Sequence, residues 1–110
     1  MMDPHGYIAE HFELMAQVAS WLPGVRAELQ EHTYAYFSFG SWWFTFLRAG
    51  RMYRVVYDGK ESDLRLESGK TAPHSQWIAT WEQIEFVRFE ELPAGDDLQR
   101  AIRSLIERLT

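Results

Sequence analysis

The sequence contains no cysteine, which excludes disulfide bonds, thiolate metal sites and cysteine nucleophiles. It also lacks an apolar run of the roughly 20 residues that a membrane span needs, because its uncharged stretch at residues 33–47 is interrupted by Ser38, Gly40 and Ser41. The first residues show neither the basic nor the apolar segment of a signal peptide. We therefore expect a cytoplasmic protein that does not associate with membranes.

Basic residues are few, since 11 lysines and arginines stand against 16 acidic residues, for a net charge of -5. Such a chain is a poor partner for nucleic acid, whose binding depends on neutralising phosphates. Residues 48–70 are an exception, with six bases and four acids. The simplest interpretation is pairing of opposite charges across strands on a solvated sheet face.

Aromatic rings, in contrast, are abundant. They make up 15% of the 110 residues, and each buried ring removes roughly 150–250 Å² from water. Eight of them lie within residues 33–47. A core of such rings can stabilise a small protein without crosslinks, so we expect residues 1–110 to form a single globular domain.

Apolar residues recur at helical spacing near both ends of the chain. The first predicted helix is capped by Asp3 and ends at Pro23. Its predicted buried stripe consists of Ile8, Phe12, Met15, Ala19 and Leu22, widened by Tyr7, Leu14, Val18 and Trp21. The last predicted helix is capped by Asp96 or Asp97, and its stripe consists of Leu98, Ile102, Leu105 and Leu109. One face of each helix must therefore be buried.

Between these helices, alternating apolar and polar residues predict antiparallel strands joined by short turns. The turn residues are Gly40-Ser41, Ala49-Gly50-Arg51 and Asp58-Gly59. With Asp58-Gly59 as a two-residue turn, Arg54 faces Asp63, a favourable pairing of opposite charges across the ladder.

Residue parity through these hairpins divides the predicted sheet into two faces. The first face is almost entirely apolar and must be the core: Phe37, Phe39, Trp42, Phe44, Phe46, Tyr53, Val55, Tyr57, Leu64 and Leu66. The second face is mixed: Tyr34, Tyr36, Trp43, Thr45, Leu47, Met52, Arg54, Val56, Asp63, Arg65 and Glu67. This second face has more rings than a solvated surface needs.

The segment after these strands has two periodicities. Ser75, Trp77, Ile78, Trp81 and Ile84 predict a short helix, and the alternation over residues 84–89 predicts a fifth strand. Either this segment or the C-terminal one could cross the sheet and cover its second face. The order of elements predicts an α+β fold, in which an antiparallel sheet of four to five strands has the N- and C-terminal helices packed on one face.

The sequence contains no motif for catalysis or for a cofactor. Its histidines lack metal-ligand spacing, and no serine lies in a nucleophile elbow. Gly69-Lys70-Thr71 lacks the upstream glycine of a phosphate loop. We therefore expect no catalytic residue, no metal site and no cofactor.

The surplus of rings on the second face is the functional indication that remains. Tyrosine, tryptophan and arginine are the residues most enriched at binding hot spots. By analogy with the composition of small acidic bacterial proteins, we expect a non-enzymatic adaptor or toxin-neutralising immunity-type protein. It would bind a protein partner, or itself as a homodimer, through Tyr34, Tyr36, Trp43, Leu47, Arg54 and Arg65.

A small-molecule-binding or enzymatic domain is the alternative hypothesis. In that case a pocket between the sheet and the helices would hold an anionic group, anchored by Arg48, Arg54 or Arg65. Stabilisation of the fold by small anions would distinguish this hypothesis from the first.

Overall fold

The computed structural model of the chain describes residues 7–35, 40–71, 77–91 and 93–109. The helices are α1 (Tyr7–Trp21), a short 3₁₀ helix (Leu22–Val25) and α2 (Gly95–Glu107). The strands are β1 (Ala27–Ala35), β2 (Ser41–Arg48), β3 (Arg51–Asp58), β4 (Asp63–Thr71) and β5 (Ile78–Arg88). They form one antiparallel sheet in the order β1-β2-β3-β4-β5. The predicted α+β architecture is confirmed.

The core lies between one face of this sheet and the two α-helices. The sheet contributes the residues that parity predicts, including Trp42, Phe44, Phe46, Tyr53, Val55, Tyr57, Leu64 and Leu66. The helices contribute Leu14, Met15, Val18, Leu98, Ile102, Leu105 and Ile106. Burying one such aliphatic side chain contributes about 1.5–3 kcal/mol. Both helices therefore pack on the same face, as predicted, whereas Phe37 and Phe39 lie outside the described residues.

The buried face of α1 covers only part of the predicted stripe. Phe12, which the spacing assigned to the buried stripe, is 56% exposed, and Ala19 is exposed as well. The buried residues are Leu14, Met15, Val18 and Leu22, all of them in the predicted stripe, together with His11. The predicted stripe was too wide, because apolar residues lie on several sides of this helix and their spacing alone does not select one face. The predicted cap Asp3 lies outside the described residues.

The three hairpin turns follow the sequence pattern to different degrees. Ala49 and Gly50 form a two-residue turn with φ of 52° and 75°, which is typical of a type I′ turn. Ser41, predicted as a turn residue, is instead the first residue of β2 and lies opposite Ala35. The connection between β3 and β4 occupies residues 59–62, so the predicted two-residue turn there is wrong.

Asp58 explains the longer turn between β3 and β4. Its Oδ1 atom accepts hydrogen bonds from the backbone N–H groups of Lys60 at 3.0 Å and Glu61 at 3.1 Å, as in an Asx turn. Arg54 consequently faces Glu67 instead of Asp63. Because the partner moves by an even number of residues, every side chain stays on its predicted face.

The predicted short helix over residues 75–84 is wrong. Ile78–Arg88 forms β5, which pairs with β4, and Ser75 lies outside the described residues. This segment is rich in β-branched and aromatic residues, which favour strands, and pairing satisfies the backbone groups along the edge of β4. The segment therefore extends the sheet at its edge and does not cross the second face.

Candidate functional site on the outer sheet face

The sheet face opposite the two α-helices, here called the outer face, carries most of the predicted binding residues. Trp43, Leu47, Arg54 and Arg65 lie on it, as parity predicts. Leu47 is 36% exposed, and the other three are partly exposed. Within residues 7–35, 40–71, 77–91 and 93–109, no helix or strand packs across them. Tyr36 lies outside the described residues.

Tyr34 does not lie on the outer face, so its predicted placement is wrong. It is opposite Trp42 in the ladder between β1 and β2, and its ring centre is 5.2 Å from that of His11 on α1. The cause is a register shift between Leu29 and Glu31. Such a bulge inserts one residue and reverses the parity of the rest of the strand.

Strand β5 adds two rings to the outer face that the sequence analysis missed. Trp81 pairs with Gly69 and Phe86 pairs with Arg65, and directly opposite residues share a face. Phe86 is 44% exposed. The guanidinium carbon of Arg54 lies 4.5 Å from the centre of the Trp81 ring, which is a cation–π geometry. Assigning Trp81 to a helix concealed this contact.

The two arginines on the outer face of β3 and β4 pair with neighbouring carboxylates. Arg54 donates from Nε to Glu67 at 2.7 Å. Arg65 donates to Asp58 at 3.0 Å and to Asp63 at 3.3 Å. The ion pairing expected for residues 48–70 is thereby confirmed for Arg54 and Arg65. Over β3 and β4 the outer face is consequently an aromatic and aliphatic surface with compensated charges, and not a basic patch. At the β1 edge, Glu28 and Glu31 add exposed carboxylates to the same face, opposite Leu47 and Thr45.

Both edge strands of the sheet carry features that oppose pairing with another sheet. β1 contains a bulge and the exposed carboxylates of Glu28 and Glu31. β5 contains register shifts and the exposed carboxylate of Glu82. Charges and bulges of this kind disfavour edge-to-edge association. Both edges are therefore unfavourable for pairing with a second sheet.

A second candidate site lies on the helix-covered side of the sheet. It is a cleft of about 660 Å³ whose lining includes Glu10, Glu13, Trp42, Tyr57 and Asp96. Among the described residues, no arginine lines this cleft. Arg48 donates from Nε to the Val25 carbonyl at 3.0 Å, while Arg54 and Arg65 lie on the outer face. The arginine anchor of the alternative hypothesis is therefore not found in this pocket.

His11 is a buried polar residue in the lining of the cleft. It is 3% exposed, and its Nε2 lies 3.2 Å from Nδ1 of His32. Its own Nδ1 has no hydrogen-bond partner within the described part of the chain. Burial and, to a smaller extent, the nearby His32 lower the pKa of His11 from 6.5 to about 4. The imidazole is therefore neutral at pH 7.

Comparison with known proteins assigns neither surface. No protein-family model, curated protein or solved structure matches the chain. In the described ranges, no three histidine, aspartate or glutamate side chains come together in a group able to hold a metal ion. No described helix is both long enough and apolar enough to cross a membrane. The function must therefore be argued from the outer face and the cleft themselves.

Proposed function

We propose that the chain is a non-enzymatic cytoplasmic interaction protein whose outer face docks against the outer face of a second copy. The observation that carries this proposal is the position of β5. Because β5 extends the sheet at its edge, the rings of Trp43, Trp81 and Phe86 stay uncovered by the described helices. Two such faces can pack as a sheet-on-sheet sandwich about 10 Å thick.

The size of the outer face fits this role. Strands spaced about 4.8 Å apart and rising about 3.3 Å per residue give this sheet dimensions of roughly 24 by 26 Å, or roughly 600 Å² in projection. The accessible surface of a face covered by side chains exceeds its projection. A stable interface of standard size buries about 800 Å² per partner, so one such face approaches what a homodimer needs.

The electrostatics of the outer face also suit a second copy. A two-fold interface places the same patch on both partners, so a patch with unpaired charge of one sign would repel itself. Here Arg54 is paired with Glu67, and Arg65 with Asp58 and Asp63. The residues over β3 and β4 can then meet without uncompensated like charges. Glu28 and Glu31 carry negative charge on the same face at its β1 edge, opposite Leu47 and Thr45, so a favourable dimer keeps the two β1 edges apart.

Light scattering after size exclusion, over a range of protein concentrations, tests the proposal. We expect a dimer in the parent protein and a monomer in Phe86→Lys, which places a charge at a partly exposed outer-face position. Phe12→Lys is the matched control, because Phe12 is 56% exposed on α1, and it should remain dimeric. Far-UV circular dichroism should show both variants folded.

Two results would overturn the proposal. A parent protein that stays monomeric at high concentration excludes self-association and leaves a different protein partner, such as a bacterial toxin, as the alternative occupant. A dimer that survives both Phe86→Lys and Leu47→Lys would place the interface away from the outer face.

A further inference from the structure

Two histidines that are distant in the sequence meet on the helix-covered side of the sheet. His11 lies on the buried face of α1, and His32 lies on β1 opposite the core residue Phe44. The Nε2 atom of His11 is 3.2 Å from the Nδ1 atom of His32. The sequence shows no metal-ligand spacing around either residue, because the two come together only when α1 packs against β1.

The distance between these two nitrogens matches that of two ligands on one metal ion. Zinc–imidazole bonds are about 2.0–2.1 Å long, so two nitrogens bound at a tetrahedral angle lie about 3.3 Å apart. The ring centres of such a ligand pair lie about 5.2 Å apart, and those of His11 and His32 lie 5.3 Å apart. Small rotations of the two rings, with little movement of the backbone, therefore suffice to place both nitrogens on one ion.

Neighbouring aromatic rings hold the histidine pair in place. The ring centre of His11 is 5.2 Å from that of Tyr34 and 6.0 Å from that of Trp42. The ring of Phe12 contacts His32 edge-on, with 5.6 Å between ring centres. Side chains that are already fixed lose little freedom on binding, which favours the bound state. Because His11 is buried and His32 is exposed, an ion approaches from the side of His32.

The donor atoms indicate the class of metal ion. Imidazole nitrogens suit zinc, nickel and copper, whereas magnesium and calcium prefer oxygen ligands. The chain's net charge of -5 favours the approach of any cation, but it does not select among metals. The separation of the two nitrogens, which fits a tetrahedral angle, is typical of zinc.

Two features set the expected affinity. Within the described ranges, no third histidine, aspartate or glutamate joins the pair, so water completes the coordination. When Nε2 of His11 binds a metal ion, the ring proton lies on Nδ1, which has no hydrogen-bond partner in the described part of the chain. Half the ligands of a structural zinc site, together with this unsatisfied N–H group, imply a dissociation constant of about 10–100 µM.

We propose that His11 and His32 bind a zinc ion that links α1 to β1. The ion replaces the hydrogen bond between the two rings with two nitrogen–metal bonds. Because the two histidines meet only in the folded chain, the ion binds the folded state and stabilises it. The site lies on the helix-covered side of the sheet, so its test is independent of the proposed self-association.

Isothermal titration calorimetry of the tag-free protein with ZnCl₂ tests the proposal, with MgCl₂ as the comparison. We expect Zn²⁺ to bind at about 10–100 µM and Mg²⁺ not to bind at about 1 mM. The Tm of the protein should rise with the concentration of Zn²⁺. Pulsed EPR of the protein loaded with Cu²⁺, which prefers the same nitrogen ligands, should show two imidazoles on the metal.

A matched pair of histidine variants completes the test. His32→Gln removes one ligand at an exposed position of β1, so it should fold and should bind Zn²⁺ at least about tenfold more weakly. His74→Gln removes a histidine elsewhere in the sequence and should bind Zn²⁺ as the parent protein does. Far-UV circular dichroism checks that both variants are folded. No binding at about 1 mM Zn²⁺, equal affinity in the parent protein and His32→Gln, or a Cu²⁺ spectrum with a single imidazole would each overturn the proposal.

Discussion

The guanidinium group of Arg54 on β3 lies over the ring of Trp81 on β5, with 4.5 Å between its central carbon and the ring centre. The contact reaches across β4, whose Glu67 accepts a hydrogen bond from the same guanidinium at 2.7 Å. One arginine thus connects three strands of the outer face. Because β5 was predicted in part as a helix, this contact is a sensitive test of the strand assignment.

A double-mutant cycle on Arg54→Ala and Trp81→Ala should give a coupling free energy of about 0.5–1 kcal/mol, as expected for a partly exposed cation–π pair. The measurement is the free energy of unfolding from urea titration of the four proteins. Arg51→Ala, at an exposed position of the same strand, should change stability by less than about 0.5 kcal/mol. A coupling of zero would mean that β5 does not hold Trp81 beside Arg54.

Replacing Ala49 by asparagine should stabilise the protein. Ala49 has a φ of 52°, a left-handed conformation that costs an ordinary L-residue about 1–2 kcal/mol, whereas Asn-Gly is the preferred type I′ pair. We expect Ala49→Asn to raise the free energy of unfolding by about 0.5–1 kcal/mol and Tm by a few degrees. A lower Tm would show that the turn between β2 and β3 has another geometry.

Two alanine variants on α1 test which side of the predicted apolar stripe is buried. Leu14→Ala removes a side chain that is 5% exposed and should cost about 2–4 kcal/mol. Phe12→Ala removes a larger side chain that is 56% exposed and should cost less than about 0.5 kcal/mol. Thermal unfolding of both proteins gives the comparison, and the reverse order of Tm values would mean that α1 buries the side that carries Phe12.

The burial of His11 predicts a loss of stability in mild acid. Its pKa is about 4 in the folded protein, against 6.5 as the ordinary value. The unfolded chain therefore binds more protons than the folded one between these pH values, so the free energy of unfolding falls as the pH is lowered from 6.5 towards 4. Between pH 7.5 and pH 5 the expected loss from this group is roughly 2 kcal/mol.

His11→Gln provides the comparison for this pH effect, since glutamine does not titrate. Urea unfolding of both proteins at pH 7.5 and pH 5 should show a smaller pH dependence in the variant by roughly 2 kcal/mol. Carboxylates titrate in both proteins, so their contribution cancels in the difference. Identical pH dependence would mean that the imidazole is accessible to protons in the folded state.

The sheet faces could be predicted from the sequence because their periodicity does not depend on register. Arg54 faces Glu67 and not Asp63, yet every residue of β2, β3 and β4 that parity assigned to a face lies on that face, since the difference is an even number of residues. Tyr34 was assigned to the wrong face because β1 contains a bulge. A bulge depends on how two strands pair, and the sequence of one strand does not reveal it.

The segment containing Trp81 shows a different limit of sequence reasoning. A few large apolar residues three and four positions apart fit either a helix or a strand with bulges. Pairing with the edge of β4 stabilises the strand. The cleft was also inaccessible to sequence reasoning. Glu13 belongs to α1 and Asp96 to α2, and only the docking of these two helices on one face brings them to one cavity.

The order of the strands has a consequence for how the chain folds. Every strand pairs with the one that follows it. Each new pairing therefore closes only a short loop, and the chain entropy lost with each added strand is small. The docking of α1 against α2 is different, because the hydrogen bond from Gln99 to Gln17 spans 82 positions. We expect the meander to assemble first and quickly, and the closure of the two ends of the chain over it to be the slow, final step.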